Sequence, residues 1–325
     1  MQLAEAYFFH DDPCDFWSLA LQLGIHDAVI SLHEQPGYRL TEYAFLAQIQ
    51  KKYADHGLNV KVIESMPPSD RIKFGLPGRD EEIEGFKELI LNMGELGIPV
   101  LCYNFMAGFG WFRTSTEMQT RGGALVSGYD HEDMRDAPLT EYGIVTEDQL
   151  WDNLKYFMEQ IVTVAEKAGV KLALHPDDPP VSPIRGIARI LRSADALQRA
   201  IDLVPSPNNG ITLCQGTLAA AGEDIPGAIR RFGEQNKIFF VHFRDVSGTV
   251  ERFHETFHDN GKTDMYEAMK TYKNVGYNGP IRADHVPTMA GEPNVNSGYE
   301  VLGRLFGNGY IIGLMEAVGY THTKR

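Results

Sequence analysis

Along the chain, short runs of β-branched and aromatic residues alternate with longer stretches in which apolar positions recur every third or fourth residue. The short runs are "AEAYFFH", "DAVISL", "NVKVIES", "IPVLCYNF", "VKLALH", "NGITLC", "KIFFVH" and "PIRADH". Their near-continuous apolarity predicts parallel strands buried on both faces. The longer stretches predict helices: "EEIEGFKELILNMGELG" after the third run, "EDQLWDNLKYFMEQIVTVAEKAG" after the fourth, "IARILRSADALQRAI" after the fifth, and "YEVLGRLFGNGYIIGLMEAV" near the end. Glycine closes several units just before the next strand, in "ELGIPV", "KAGVKL" and "NVGYNGP". Eight strand–helix units of this kind predict an α/β fold, the (β/α)8 TIM barrel. A doubly wound open sheet fits less well, because no GxGxxG turn follows any strand.

No Gly/Ser/Pro-rich linker divides the chain, so residues 1–325 are expected to form one domain. Two long irregular stretches interrupt the pattern, about 107–146 after the fourth strand and about 245–262 after the seventh. In a barrel both would lie on the C-terminal rim, where active sites sit.

Charge narrows the partners. A formal net charge of -14 without a Lys/Arg cluster argues against nucleic acid and permits a cation site. Cys14, Cys102 and Cys214 form no CxxC pair and no even disulfide set, so a reducing cytoplasm is the expected compartment. The N-terminus lacks the pattern of a signal peptide, and no apolar run is long enough for a membrane span. A small-molecule substrate is therefore expected, with no membrane partner and with homo-oligomerisation left open.

The strand ends carry the candidate chemistry. The fifth strand ends at His175, the sixth at Cys214, the seventh at His242 and the eighth at Asp284 or His285. Adjacent strands lie about 4.8 Å apart, so side chains at equal height converge. Imidazole, thiolate and carboxylate are all metal-ligand types. Singly, each has a plain reading: a core histidine, an inert core thiol, an aspartate paired with Arg282. Their shared register favours a metal site. Cys102, without such company, reads as core.

Other polar groups reach the same rim: Glu64 on the third strand, and Tyr103 and Asn104 on the fourth. Asp177 and Asp178 read as turn formers in "HPDDPP", with Asp178 also a candidate substrate contact. His254 and His258 are spaced i, i+4, but the adjacent "DNG" makes a regular helix and a second metal there doubtful, and His258 reads better as a substrate contact. Lys73, Arg79, Arg113 and Arg121 are the available cations for a substrate carboxylate.

The combination of "VIESMP", "IKFGLPGRD", "CYNFM", "WFRT", "LALHPDDPP", "LCQGT", "VHFRDV", "FHETFHDNGKTDM", "RADH" and "GYEVLGRL" resembles the mannonate dehydratase family of hexuronate degradation. The resemblance implies a xylose-isomerase-like TIM barrel and a divalent metal, Mn2+ with Fe2+ as second choice. It implies dehydration of D-mannonate to 2-keto-3-deoxy-D-gluconate. Its metal ligands would fall on His175, Cys214, His242 and Asp284, and its acid–base pair on His285 and Tyr299. Asn104, Arg113, Asp178 and His258 are the expected substrate contacts. The competing expectations are a sugar isomerase or epimerase on the same barrel, a dehydratase of a related aldonic acid, and a non-catalytic sensor.

Overall fold

A computed structural model describes residues 1–33, 37–64 and 69–321. The "SMPP" that continues the third strand's motif lies outside the described residues.

Eight parallel strands close into a barrel: β1 (Gln2–Ala6), β2 (Asp27–Ile30), β3 (Asn59–Ile63), β4 (Val100–Asn104), β7 (Lys171–His175), β8 (Asn209–Cys214), β9 (Ile238–Phe243) and β12 (Pro280–Ala283). They pair in the order β1-β12-β9-β8-β7-β4-β3-β2. Two apolar layers result. Small and aromatic residues, among them Ala4, Ala6, Val62, Ala173 and Phe240, fill the barrel interior, and a larger core lies between strands and helices. Cys102 belongs to the interior layer, as read from the sequence.

The helices follow their local signals. Thr146 and Gln149 form a reciprocal capping box at the start of Glu147–Ala168. Gly97, Gly169 and Gly276 all sit at positive φ before the next strand, a conformation that side chains with a Cβ rarely adopt. One helix is shorter than the periodicity suggests: it spans Ala194–Leu203, with Ser193 accepting from the Ala196 N–H. The preceding residues bond elsewhere. The Leu191 N–H donates to Asp177 Oδ2, and the buried Arg189 guanidinium donates to the carbonyls of Asp178 and Gly110.

The two rim stretches read as irregular contain strands. β5 (Ser115–Gln119) and β6 (Leu125–Asp130) come from the first, β10 (Val246–Gly248) and β11 (Arg252–Glu255) from the second. Together they form an antiparallel sheet in the order β10-β11-β6-β5 beside the barrel. Their pairing joins segments over a hundred residues apart, and much of β5 is exposed. Neither feature leaves a strong local apolar alternation.

Candidate metal centre and acid–base site

The ends of β7, β9 and β12 meet a cavity of about 270 Å³ at the C-terminal rim, while Cys214, which ends β8, is fully buried and not among its lining residues. His175, His242, Asp284, His285 and Tyr299 line it, with Trp111 and Phe9 among its aromatic residues. Ligand atoms of His175, Cys214 and His242 all lie within 4.8 Å of one another. Asp284 Oδ2 lies 3.5 Å from His242 Nδ1.

The imidazole geometry tests whether a cation fits. His175 Nδ1 is 2.6 Å from the Pro176 carbonyl oxygen, which only accepts, so this nitrogen carries the proton. His242 Nε2 is 3.0 Å from Glu64 Oε1, off the ideal hydrogen-bond line but facing another pure acceptor. The remaining nitrogens, His175 Nε2 and His242 Nδ1, face each other at 3.2 Å. With both rings neutral, two lone pairs point into one space, beside a carboxylate oxygen and a sulfur. A cation resolves that opposition, and outer groups that fix the inner lone pairs are the usual surroundings of metal-bound histidine. Burial lowers the pKa of His175, which favours the neutral, ligating form.

The surrounding charges agree. Arg113, Arg244 and Arg282 interlock with Glu64, Asp178, Glu255 and Asp284 in one buried lattice, three cations against four anions. With a Cys214 thiolate the excess becomes two negative charges, the charge a divalent ion neutralises. A second grouping, Glu64 with Cys102 and His242, also brings its ligand atoms within 4.8 Å. It is a poorer site. Arg282 holds Glu64 through Nε and Nη2 at 2.9 and 2.7 Å, and burial pushes the Cys102 thiol well above its ordinary pKa.

Asp284 is the junction. Its Oδ1 accepts from Arg282 Nη1 at 2.8 Å and from the Tyr299 hydroxyl at 3.1 Å, and Arg244 Nε lies 2.8 Å from Oδ2. Burial alone would raise its pKa; Arg282, His285, His242 and Arg244 outweigh burial and hold the carboxyl well below the ordinary value. Burial and then Asp284 push the Tyr299 phenol well above its ordinary value, so it remains a proton donor. His285 sits at φ 39°, its ring 5.0 Å from Trp111 and 5.6 Å from Tyr299.

The expected substrate contacts divide. Asn104 lines the cavity, its Oδ1 accepting from the Met106 N–H. Asp178 also reaches the lining, but it is no solvated turn former. It is fully buried, bound by Arg113 at 2.6 and 2.9 Å and by Arg244 at 2.5 Å. Asp177 is buried as well. Arg113 spends Nη1 on Asp178 and the Phe112 carbonyl and Nη2 on Asp178 and Glu255, which leaves neither terminal nitrogen for a substrate carboxylate in this arrangement. His258 is fully buried, close to where a Cβ on Gly307 would lie, and is not among the cavity's lining residues. His254 lies on a strand, so the i, i+4 spacing to His258 is not helical. Lys73 is buried on the Met106 carbonyl, Arg79 stacks on Tyr156, and Arg121 pairs with Asp259.

The sequence reading missed Arg244 and Glu255 as lattice members. Arg244 had a signal: it lies two residues after His242, on the same side of an extended chain. Glu255 stood out only as one of the polar residues of the second rim stretch, since its place depends on the accessory sheet.

Comparison with known proteins gives a consistent picture. The family model described as D-mannonate dehydratase (UxuA) matches residues 1–141 and 135–325. A mannonate dehydratase of Thermotoga neapolitana is 37% identical over 330 residues, covering 91% of each chain. Mannonate dehydratase 2 of Halalkalibacterium halodurans is 38% identical over 291 residues, covering 81% of this chain and 84% of its own. The crystal structure of the mannonate dehydratase from Streptococcus suis serotype 2 superposes with a TM-score of 0.91 at 32% identity, over 100% of this chain and 96% of that one. A D-psicose 3-epimerase from Clostridium cellulolyticum H10 shares the barrel at a TM-score of 0.64 and 14% identity, covering 98% of this chain and 99% of its own, a likeness of fold alone.

Proposed function

Since the chain belongs to the D-mannonate dehydratase family and dehydrates D-mannonate, we propose that His175, Cys214, His242 and Asp284 hold the divalent ion its chemistry needs, while His285 and Tyr299 move the protons. The observation that carries this reading is the opposed pair of imidazole nitrogens, 3.2 Å apart, each with its outer nitrogen facing a pure acceptor.

The reaction removes the proton at C2, next to the carboxylate, and expels the C3 hydroxyl. The enol that forms rearranges to 2-keto-3-deoxy-D-gluconate. The C2 proton is weakly acidic and hydroxide leaves poorly, so a base needs electrostatic help and the leaving group needs a proton. When bound, a divalent cation supplies fixed positive charge and orients the substrate's oxygens. His285 takes the C2 proton. Tyr299, kept protonated by its burial beside Asp284, gives one to the departing hydroxyl. Arg282 is the only lysine or arginine lining the cavity among the described residues, and its nitrogens are bound to Glu64, Asp284 and the Ala283 carbonyl. A free arginine therefore does not receive the substrate carboxylate, and neutral polar groups such as Asn104 line the cavity where it would lie.

Mn2+ is the proposed ion. The thiolate makes Fe2+ the second choice, because a sulfur ligand favours a softer metal. A screen of aldonic acids with the Mn2+-loaded protein tests the substrate. A 2-keto-3-deoxy acid from D-mannonate is the expected product. Product from a different aldonic acid alone would move the substrate assignment, and an isomeric acid formed without loss of water would overturn the reaction.

A further inference from the structure

We propose that Glu255 is the positioning residue for His285, delivered to the site by the accessory sheet. The inference rests on His285 being the proton-transfer group. Its first support is the contact itself: His285 Nδ1 lies 3.2 Å from Glu255 Oε1. A carboxylate only accepts, so Nδ1 carries the hydrogen and Nε2 is left as the basic nitrogen. Nε2 lies 3.6 Å from Asp284 Oδ1, the oxygen that accepts from the Tyr299 hydroxyl.

The second support is that Glu255 is itself immobilised. Its Oε1 also accepts from Arg113 Nη2 at 2.6 Å and Arg244 Nη1 at 2.8 Å, and its Oε2 accepts from Arg244 Nη1 at 2.7 Å. The side chain is 1% exposed. The His285 backbone and the Trp111 ring restrict where the imidazole plane lies; the Glu255 contact decides which ring nitrogen faces which way.

The third support is origin. Glu255 ends β11, opposite Val246 of β10, and Arg113 lies two residues before β5. The sheet that decorates the rim therefore supplies the group behind His285, and the segment leading into its β5 supplies one of the arginines that hold it. A carboxylate behind a base histidine selects its tautomer, and it stabilises the imidazolium formed on proton uptake. Glu255 does not itself line the cavity and reaches it through His285; it also shares Arg244 with Asp284, so metal content has to be read beside turnover.

Two variants test this in the metal-loaded enzyme, with D-mannonate and with substrate deuterated at C2. Glu255→Gln keeps the shape and removes the charge. Glu255→Asp keeps the charge for the arginines and withdraws it from His285. For each folded variant, kcat falls about 10–100-fold with metal content unchanged. KM stays within about twofold, and the deuterium isotope effect on kcat is at least as large as the parent's because proton removal has become slower. Parental kcat and isotope effect in either folded variant would overturn the proposal. So would a fall in kcat that comes with metal loss or with a smaller isotope effect than the parent's. His285→Asn separates the two levels. If it keeps turnover, the base assignment itself falls; if it is inert while the Glu255 variants behave as the parent, only the role of Glu255 falls.

Discussion

Cys214 shows how a residue's meaning depends on its neighbours. Alone, a buried thiol before a glycine reads as core, and it is fully buried. Within 4.8 Å of two imidazole nitrogens it takes one corner of the proposed cation site. Cys102, also buried, accepts from the Thr212 hydroxyl and sits in the barrel's apolar interior. Cys214→Ser is expected to lower metal affinity and turnover together while the fold is kept, read from metal content, kcat and circular dichroism. Unchanged metal occupancy would return the thiol to the core. His285→Asn is expected to abolish turnover with metal content held near about one ion per chain, and loss of the ion would make His285 structural or a ligand. These residues were legible in the sequence because each ends a strand of strong apolar pattern. Arg113 and His258 were legible as candidates, but not in their burial, which depends on contacts with Glu255 and with the terminal helix.

At the scale of elements, the strands and most helices follow from local pattern, and the failures have a common cause. The helix read from Ile187 begins only at Ala194, because residues before it bond to the Asp177–Asp178 turn instead. The accessory sheet leaves little trace in the sequence because its strands are short and meet across long sequence separations. The terminal helix Val301–Ala317 controls the loop after His285 through a close approach at Gly303. A Cβ there would overlap the Pro287 carbonyl oxygen and press on Val286. Gly303→Ala is therefore expected to cost about 1–3 kcal/mol, as overpacking does. It should also lower kcat by displacing the residues after His285. Denaturant unfolding and steady-state kinetics read both effects.

For the whole molecule, the barrel concentrates buried charge at one rim, and this links stability to pH and metal. Burial works against ionised Glu64, but Arg282 and His242 overcome it and push its pKa from 4.5 down to about 2. A depressed carboxyl stabilises the fold above its unfolded-state value and loses that contribution as pH falls through the folded value. Stability should thus fall between about pH 4.5 and 2, with a slope that Glu64→Gln makes shallower in urea titrations. A bound ion should add stability by mass action, about 2.7 kcal/mol at a hundredfold excess over Kd. The thermal midpoint should fall on chelation and recover with Mn2+. Among the described residues no helix is long and apolar enough to cross a membrane.

The central claim is that this rim holds one divalent ion that D-mannonate dehydration requires. The most direct measurement is an anaerobic titration of metal-free protein with Mn2+, following 2-keto-3-deoxy-D-gluconate and bound metal together. Turnover should start from nil, rise in proportion to bound ion and saturate near about one per chain. Full turnover by the metal-free protein, or saturation of metal without product, would contradict it.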